Sequence, residues 1–367
     1  VLAISALLTA AISVEPFLFA ALFIEMAVLI CIPLFAPPGQ AVSRGAVRFL
    51  TFQTLGMLLI IFSGWMITRA ELNTNDPEIL LRTVIILGLG LAIMLSIFPF
   101  YSWIPMVAQD SPPYAAAFIL FTLPEIITLF IFSFFSRYPW LPNQPYILNA
   151  LTLVGLIMII GAGIWSVFQN HLGRIFGYAV ITEVGLFLLT VREVIPTLQP
   201  GTTEVSSPFN QLPIIAFFLA LLLPRGFNFA LWALSLSIIK EKNQKLDFQS
   251  VRGSAFETPA AAVGLSLAHL SLAGFPLLAG YPVRAIIGID LAQRSPLLAL
   301  LTILGFFGLT ISALRSISIL FSADQGKTWK FSERRSQVLL LALGCLILLL
   351  VGLFPQYFLF RLDAVLP

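Results

Sequence analysis

The sequence predicts an all-α, polytopic membrane protein with about eleven transmembrane helices. Of its 367 residues, 59% are hydrophobic and only 10% are charged, and the mean hydropathy is +0.99. A soluble domain carries roughly 25% charged residues, so the composition excludes a water-soluble globular protein. Because a spanning helix needs about 20 apolar residues, the apolar share is enough for about ten or eleven of them.

Glycine, proline and charged residues separate the apolar runs and mark the ends of the predicted helices. The first run is shorter than a full span. In chain order the runs cover residues 2–14, 16–36, 47–67, 81–104, 114–135, 147–168, 174–192, 212–239, 258–288, 296–321 and 338–359.

An internal similarity divides these runs into two groups of five helices. Phe-Pro occurs in the fourth helix of each group, at Pro99 and at Pro276. Because five is odd, the second group would have the inverted topology, a pattern typical of transport proteins. We therefore predict a first repeat at 1–135, an inverted repeat at 147–321, and a loop with a C-terminal transmembrane helix at 322–367.

Three predicted spans contain residues that interrupt helices. Proline removes a backbone donor and clashes with the preceding turn, so we expect kinks or breaks there. At membrane depth a broken helix must be buried in protein or line a wet cavity, which indicates function. The alternative is ordinary packing, because Gly and Pro are common in membrane helices. The residues concerned are Pro99, Pro224, Gly274, Pro276, Gly280 and Pro282.

Five ionisable residues lie deep within apolar runs, away from the run ends: Glu25, Glu125, Arg225, His269 and Arg284. A charge at the bilayer centre costs roughly 2.5–3.5 kcal/mol even on a lenient scale, so each needs a partner or water. We predict that these side chains face the protein interior and form a proton path or a set of intramembrane charges.

Four of these residues also have a structural interpretation. A protonated Glu125 would satisfy the carbonyl that Pro124 frees, and the arginines would neutralise carboxylates or cap exposed carbonyls. We interpret His269 first as a neutral, hydrogen-bonded core residue and second as a proton relay. Glu183 lies near a helix end, where we expect a solvated face.

Other classes of site lack a sequence signal. Cys31 and Cys345 are far apart and have no disulfide or cluster-ligand spacing. No metal-ligand cluster, phosphate loop or Ser/His/Asp set is present near either membrane face, so we expect neither metal nor cofactor, and the sequence does not favour a membrane-embedded enzyme. Despite a pI near 9.0, no basic cluster has interleaved aromatics, so we expect no nucleic acid.

Lysines and arginines are more frequent in one alternate set of predicted loops than in the other. The positive-inside rule places the richer side, and with it the end carrying Val1, in the cytoplasm.

Several segments resemble the antiporter-like membrane subunits of respiratory complex I (NADH:quinone oxidoreductase) and the Mrp-type cation/proton antiporters. Phe98–Pro105 with Ser111–Ala116 is similar to that family's Pro-Phe-His-x-Trp-Leu-Pro and Ala-Pro-Thr motifs, and Leu270–Tyr281 to its Leu-Ser-Leu-Ala-Gly-Ile-Pro-Pro-Leu-Ala-Gly-Phe segment. Leu172–Gly185 is a further match, and Glu25 falls at the family's helix-5 glutamate. The resemblance covers nearly the whole chain.

The resemblance implies a fourteen-helix fold in which helices 4–8 and 9–13 are inverted repeats. The spans seen here would be helices 4–14, with about three missing in front. The family's helix 4 starts in the cytoplasm, in agreement with the loop charges.

The sequence departs from the family at its lysines. The family's proton-exchanging lysine before Pro-Phe is Met94, and the histidine after Pro-Phe is Tyr101. Glu125, Arg225 and Arg284 stand at the later lysine positions. Buried lysine can release a proton, whereas guanidinium cannot. We therefore expect the lysine relay to be weakened or lost, while Glu25, Glu125 and His269 would form a partial path.

The resemblance implies a divergent, proton-translocating type of membrane subunit of an NADH:quinone oxidoreductase-like complex. Such a subunit holds no cofactor and is no catalyst by itself, because the redox chemistry belongs to partner subunits. We expect other membrane and peripheral subunits, the lipid bilayer, and protons or sodium as its partners, in a bacterial-type, energy-coupling cytoplasmic membrane. The alternative is a stand-alone secondary transporter, either a cation/proton antiporter or an anion carrier that binds solute through Arg225 and Arg284.

Overall fold

The computed structural model describes residues 1–14, 19–36, 39, 41–72, 77–137, 145–194, 214–322, 329 and 331–358. Within these ranges the chain is nearly all helical and has no strand, apart from one isolated bridge between His171 and Asp247. The helices are α1 (Leu2–Ser13), α2 (Ala20–Phe35), α3 (Arg44–Leu72), α4 (Pro77–Met94), α5 (Trp103–Asp110), α6 (Pro113–Arg137), α7 (Pro145–Val167), α8 (Leu172–Val194), α9 (Ile214–Asn243), α10 (Pro259–Leu272), α11 (Tyr281–Arg294), α12 (Pro296–Leu320), α13 (Arg335–Leu353) and α14 (Pro355–Phe358).

Seven of the described helices are long and apolar enough to cross a membrane, namely α3, α6, α7, α8, α9, α12 and α13. Three shorter helices, α1, α2 and α10, are also apolar. The all-α membrane fold is confirmed, whereas the count of eleven spans is not. The proposed repeats at 1–135 and 147–321 and the C-terminal region at 322–367 stay a prediction.

Hydropathy and burial are uncoupled in this fold, as expected of a protein embedded in lipid. In α13 the most apolar stretch has a mean hydropathy of 2.6, but only 17% of it is buried within the chain. In α8 the most apolar stretch has a mean hydropathy of only 1.6, yet 89% of it is buried. The outer helices therefore present apolar side chains outward to hydrocarbon, while α8 is the central helix and contacts α5, α6, α7, α9, α11 and α12.

Two predicted spans are interrupted. Span 81–104 becomes α4 and α5, separated by a segment that contains Pro99 and a residue with positive φ, Ser96. Trp103 Nε1 donates to Ser96 Oγ at 2.8 Å and holds this break together. Span 258–288 becomes α10 and α11, with Gly274 at φ +81° between them.

At Pro224 we expect a kink or a break, and the structure excludes the break, because α9 continues through that residue. Asn228 Nδ2 donates to the Pro224 carbonyl at 2.9 Å, four residues along the same helix. Membrane helices tolerate a proline within a continuous helix. Pro282 likewise lies in the first turn of α11, where a missing N–H is not needed.

Candidate functional site

A buried ion pair joins α6 to α9. Arg225 Nη1 donates to Glu125 Oε1 at 2.6 Å, and the two side chains are only 6% and 7% exposed. The Arg225 guanidinium also lies over the Phe229 ring, 5.2 Å from its centroid. Of the two interpretations open for Arg225, the structure therefore shows the neutralisation of a carboxylate.

A second buried ion pair joins α11 to the central helix α8, where Arg284 Nη2 contacts Glu183 Oε1. The same guanidinium donates to the carbonyl of Gly280 at 2.7 Å and to that of Leu272 at 2.8 Å. Leu272 ends α10, so Arg284 both neutralises a carboxylate and caps carbonyls at the broken helix. Helix ends at membrane depth need such donors.

The break between α10 and α11 is shaped around this arginine. A Cβ on Gly274 would lie 2.7 Å from Arg284 Cδ, and one on Gly280 would lie 2.0 Å from the Ser271 carbonyl oxygen. The Gly280 N–H donates to Ser271 Oγ at 3.0 Å. Glycine is required at 274 and 280 because the backbone and the guanidinium approach too closely for a side chain.

The two ion pairs meet at one small cavity of about 20 Å³, which is lined by Glu183, Arg225, Asn228 and Arg284 among others. That volume accommodates one water molecule. Arg225 Nε, Arg225 Nη2 and Asn228 Oδ1 are buried without a hydrogen-bond partner in the described part of the chain. Water at this position would meet donors and acceptors that the protein alone does not satisfy.

His269 is fully buried on α10 and stacks on Trp232 of α9, with ring centroids 4.6 Å apart. Its Nε2 lies 3.0 Å from Ser312 Oγ, and the Ser312 hydroxyl itself donates to the Leu309 carbonyl at 2.8 Å. The hydroxyl proton is thereby used, so we assign the proton to His269 Nε2. This geometry matches the first interpretation of His269, a neutral core residue.

Glu25 does not line this cavity. It is buried on α2, where Thr54 Oγ1 of α3 donates to its Oε1 at 2.5 Å. Its Oε2 has no hydrogen-bond partner among the described residues, and no described cation pairs with it. Met94 is buried on α4 against Gly56 of α3. A buried carboxyl without a cation is far less costly when it is protonated.

Sequence reasoning missed Glu183, which is 7% exposed rather than solvated. Two arginines within apolar runs need two carboxylates as partners. This charge balance was the sequence signal that could have indicated a buried Glu183. Asn228, Thr54 and Ser312 carried no such signal, because uncharged polar residues are common in membrane helices. Within the described ranges, no group of three or more His, Cys, Asp or Glu side chains is placed to hold a metal ion.

The chain is similar to curated proteins of respiratory enzymes. It is 25% identical over 243 residues to NADH-ubiquinone oxidoreductase chain 5 of Pongo pygmaeus, a match covering 66% of this chain and 36% of that protein. It is 25% identical over 302 residues to NADH-quinone oxidoreductase subunit N of Shewanella woodyi, a match covering 78% of this chain and 59% of that protein. The matches thus span between about one third and three fifths of these relatives.

Solved structures share the fold. The archaeal membrane-bound sulfane sulfur reductase superposes with a TM-score of 0.78 at 14% identity, covering 95% of this chain and 71% of that one. The Mrp complex of Dietzia superposes with a TM-score of 0.77 at 15% identity, and the match covers 97% of this chain and 75% of that one. Respiratory complex I of Thermus thermophilus superposes with a TM-score of 0.69 at 21% identity, and the match covers 92% of this chain and 71% of that one.

A family described as "NADH:quinone oxidoreductase/Mrp antiporter, TM" matches residues 45–312, which include both broken helices and both buried ion pairs. The match covers most of the chain and agrees with the shared fold. This integral membrane protein therefore belongs to the NADH:quinone oxidoreductase/Mrp antiporter transmembrane family.

Proposed function

We propose that this chain is a divergent antiporter-like membrane subunit of an NADH:quinone oxidoreductase-like complex, in which proton conduction is weakened. The observation that carries the proposal is the pair of buried contacts Glu125–Arg225 and Glu183–Arg284, which meet at one water-sized cavity beside a broken helix. Buried ionisable groups facing a wet cavity are typical of ion pathways. The resemblances described above support the assignment to a redox-driven complex.

The side chains at this cavity limit what the site can conduct. Neither Arg225 nor Arg284 can release a proton, so the titratable groups are their partners, Glu183 at the cavity and Glu125 behind Arg225. Protonating either carboxylate removes the counter-charge of a buried arginine, which is strongly unfavourable. Transfer of a proton, or of sodium in its place, is therefore expected to be slower than in a chain with lysines here.

Proton uptake into reconstituted vesicles tests this function. With an imposed membrane potential, the wild-type protein should give a flux close to that of protein-free vesicles, and Glu25→Gln should change it little. A large flux in the wild-type protein that Glu25→Gln abolishes would show a working relay and would overturn the weakened-conduction proposal. Glu78→Gln is the matched control, because Glu78 is exposed.

The proposed partners are the other membrane and peripheral subunits of such a complex, in a bacterial-type energy-coupling membrane with Val1 on the cytoplasmic side. Purification in mild detergent followed by identification of the co-purifying chains tests this assembly. We expect redox subunits in stoichiometric amounts. A lone monomer would contradict the subunit assignment, and labelling of a cysteine placed at position 1 from the outside would contradict the orientation.

The second candidate is a stand-alone secondary transporter, either a cation/proton antiporter or an anion carrier. The observation favouring a carrier is the unpartnered Nε and Nη2 of Arg225 beside Arg284. Both arginines are neutralised by carboxylates, however, and about 20 Å³ accommodates no organic anion. Anion-driven uptake by the purified chain would favour the carrier, whereas co-purifying redox subunits would favour the first function.

A further inference from the structure

We propose that a second cavity, lined by residues of α4, α6, α7 and α8, binds the end of one acyl chain of a membrane phospholipid. The cavity has a volume of about 120 Å³ and is separate from the ion pairs. Its lining consists only of aliphatic and aromatic residues and one glycine. Phe134 comes from α6, Leu151 from α7 and Leu188 from the central helix α8.

The lining excludes water as the occupant. A buried water molecule needs two to four polar partners, and no polar side chain faces this cavity. Protein interiors keep few voids larger than a water molecule, because the side chains around a void lose their van der Waals contacts. An engineered apolar cavity of about 150 Å³ stays dry and binds benzene, so a space of this size and chemistry takes up a hydrocarbon.

Gly88 opens the cavity towards the lipid. It both lines the cavity and is exposed at the surface of α4, and nothing lies within 4 Å of the position its Cβ would occupy. The neighbouring Leu89 and Ile85 are exposed apolar side chains, as expected where a helix faces hydrocarbon. An acyl chain is the apolar ligand that is present at this opening in any membrane.

At its inner end the cavity reaches the first helix break. Leu95 and Ile97 line it, and both belong to the segment between α4 and α5 that contains Pro99. Gly88 lies seven residues before Leu95, about 10 Å along the helix. A hydrocarbon tail entering at Gly88 would therefore pack against the break itself, so that lipid occupancy would stabilise its conformation.

Nanodiscs of phosphatidylcholine whose acyl chains carry two bromine atoms near their ends test the site, with the bromine atoms located in a density map of the protein. We expect bromine density inside the cavity of the wild-type protein and none in Gly88→Leu, whose side chain fills the entrance. Gly161→Leu is the matched control, because a Cβ at Gly161 also meets nothing within 4 Å and Gly161 does not line the cavity. It should retain the bromine density.

A second measurement covers the case in which Gly88→Leu perturbs folding. Ala92→Leu fills the cavity from inside α4. We expect it to raise the thermal midpoint in detergent and to remove the additional stabilisation that phospholipid gives the wild-type protein. A cavity without bromine in the wild-type protein, or bromine that persists in both filled variants, would overturn the proposal.

Discussion

Arg225 Nη1 lies 2.6 Å from Glu125 Oε1, although the two residues are 100 positions apart in the chain. Their contact links α6 in the first predicted repeat to α9 in the second. The Glu183–Arg284 contact on α8 and α11 spans 101 positions. Each arginine thus has one carboxylate from an earlier helix, and all four side chains are buried.

Substituting Glu125 should reduce the stability of the fold more than substituting Arg225. Glu125→Gln leaves an arginine that cannot lose its charge, whereas Arg225→Leu leaves a carboxyl that can become neutral by protonation. We expect Glu125→Gln to cost roughly 3–5 kcal/mol of stability. Arg225→Leu should cost less, and its cost should shrink at acidic pH.

Thermal unfolding in detergent across a range of pH measures this difference. Glu78→Gln is the control, since it removes an exposed pair with Arg82 and should cost about 0–1 kcal/mol. Equal, pH-independent costs for Glu125→Gln and Arg225→Leu would contradict the expected asymmetry.

Met94→Lys should increase proton conduction. Met94 is buried against Gly56 of α3, and Thr54 of the same helix hydrogen-bonds Glu25, so the substitution adds a group that can exchange a proton on a helix packed against α3. We expect the flux into vesicles to rise at least severalfold. Adding Glu25→Gln to Met94→Lys should abolish the increase, and Met94→Leu should leave the flux unchanged; a gain that survives Glu25→Gln would argue against a joint path.

Gly163→Ala should destabilise the contact between α7 and α12. A Cβ on Gly163 would lie 2.0 Å from the carbonyl oxygen of Gly305, and backbone cannot move aside cheaply. Small residues allow such close helix packing in membranes. We expect a loss of about 1–3 kcal/mol, measured by thermal unfolding.

Gly161→Ala on the same helix is the matched control, because its Cβ meets nothing within 4 Å. It should be neutral or slightly stabilising, since alanine favours helix more than glycine does. A similar loss for both variants would indicate a general effect of alanine rather than the close crossing.

His171, in the connection between α7 and α8, should make stability depend on pH. Burial lowers the pKa of His171 from 6.5 to about 4, although the Asp247 carboxylate acts in the opposite direction. Its Nδ1 accepts the Gly173 N–H at 3.1 Å, a bond that requires the neutral ring. The unfolded chain therefore binds more protons between these pKa values.

This contribution of His171 to stability is complete above pH 6.5 and should be lost as the pH falls towards 4. The thermal midpoint should accordingly fall over this range in the wild-type protein and fall less in His171→Asn, because asparagine caps a helix N-terminus without titrating. Parallel curves for the two proteins would exclude His171 as the cause.

Helix positions could be predicted largely from hydropathy, because a long apolar run is stable in a bilayer only as a helix. The break between α10 and α11 could also be anticipated, since Gly274, Pro276 and Gly280 fall close together. Whether the helix breaks at Pro224 could not be predicted from the sequence. The structure keeps α9 continuous through this single proline.

The candidate site was only partly predictable. Apolar surroundings identified Glu125, Arg225 and Arg284 as buried charges, because such a group is costly wherever the helix lies. Glu183 was placed on a solvated face because it is near the end of its apolar run. The packing of α8 at the centre of the fold, with α11 against it, buries Glu183 instead.

Composition and the spacing of apolar residues are local properties, and they sufficed to assign this chain to the membrane and to locate most of its intramembrane charges. The choice of partner for each charge depends on which helices are neighbours in three dimensions. The contact of Arg284 with Glu183, and its hydrogen bonds to the Leu272 and Gly280 carbonyls, arise only when α8, α10 and α11 are packed together. Electrostatic attraction and hydrogen bonding act over a few ångströms, so residues about a hundred positions apart become partners only through the fold.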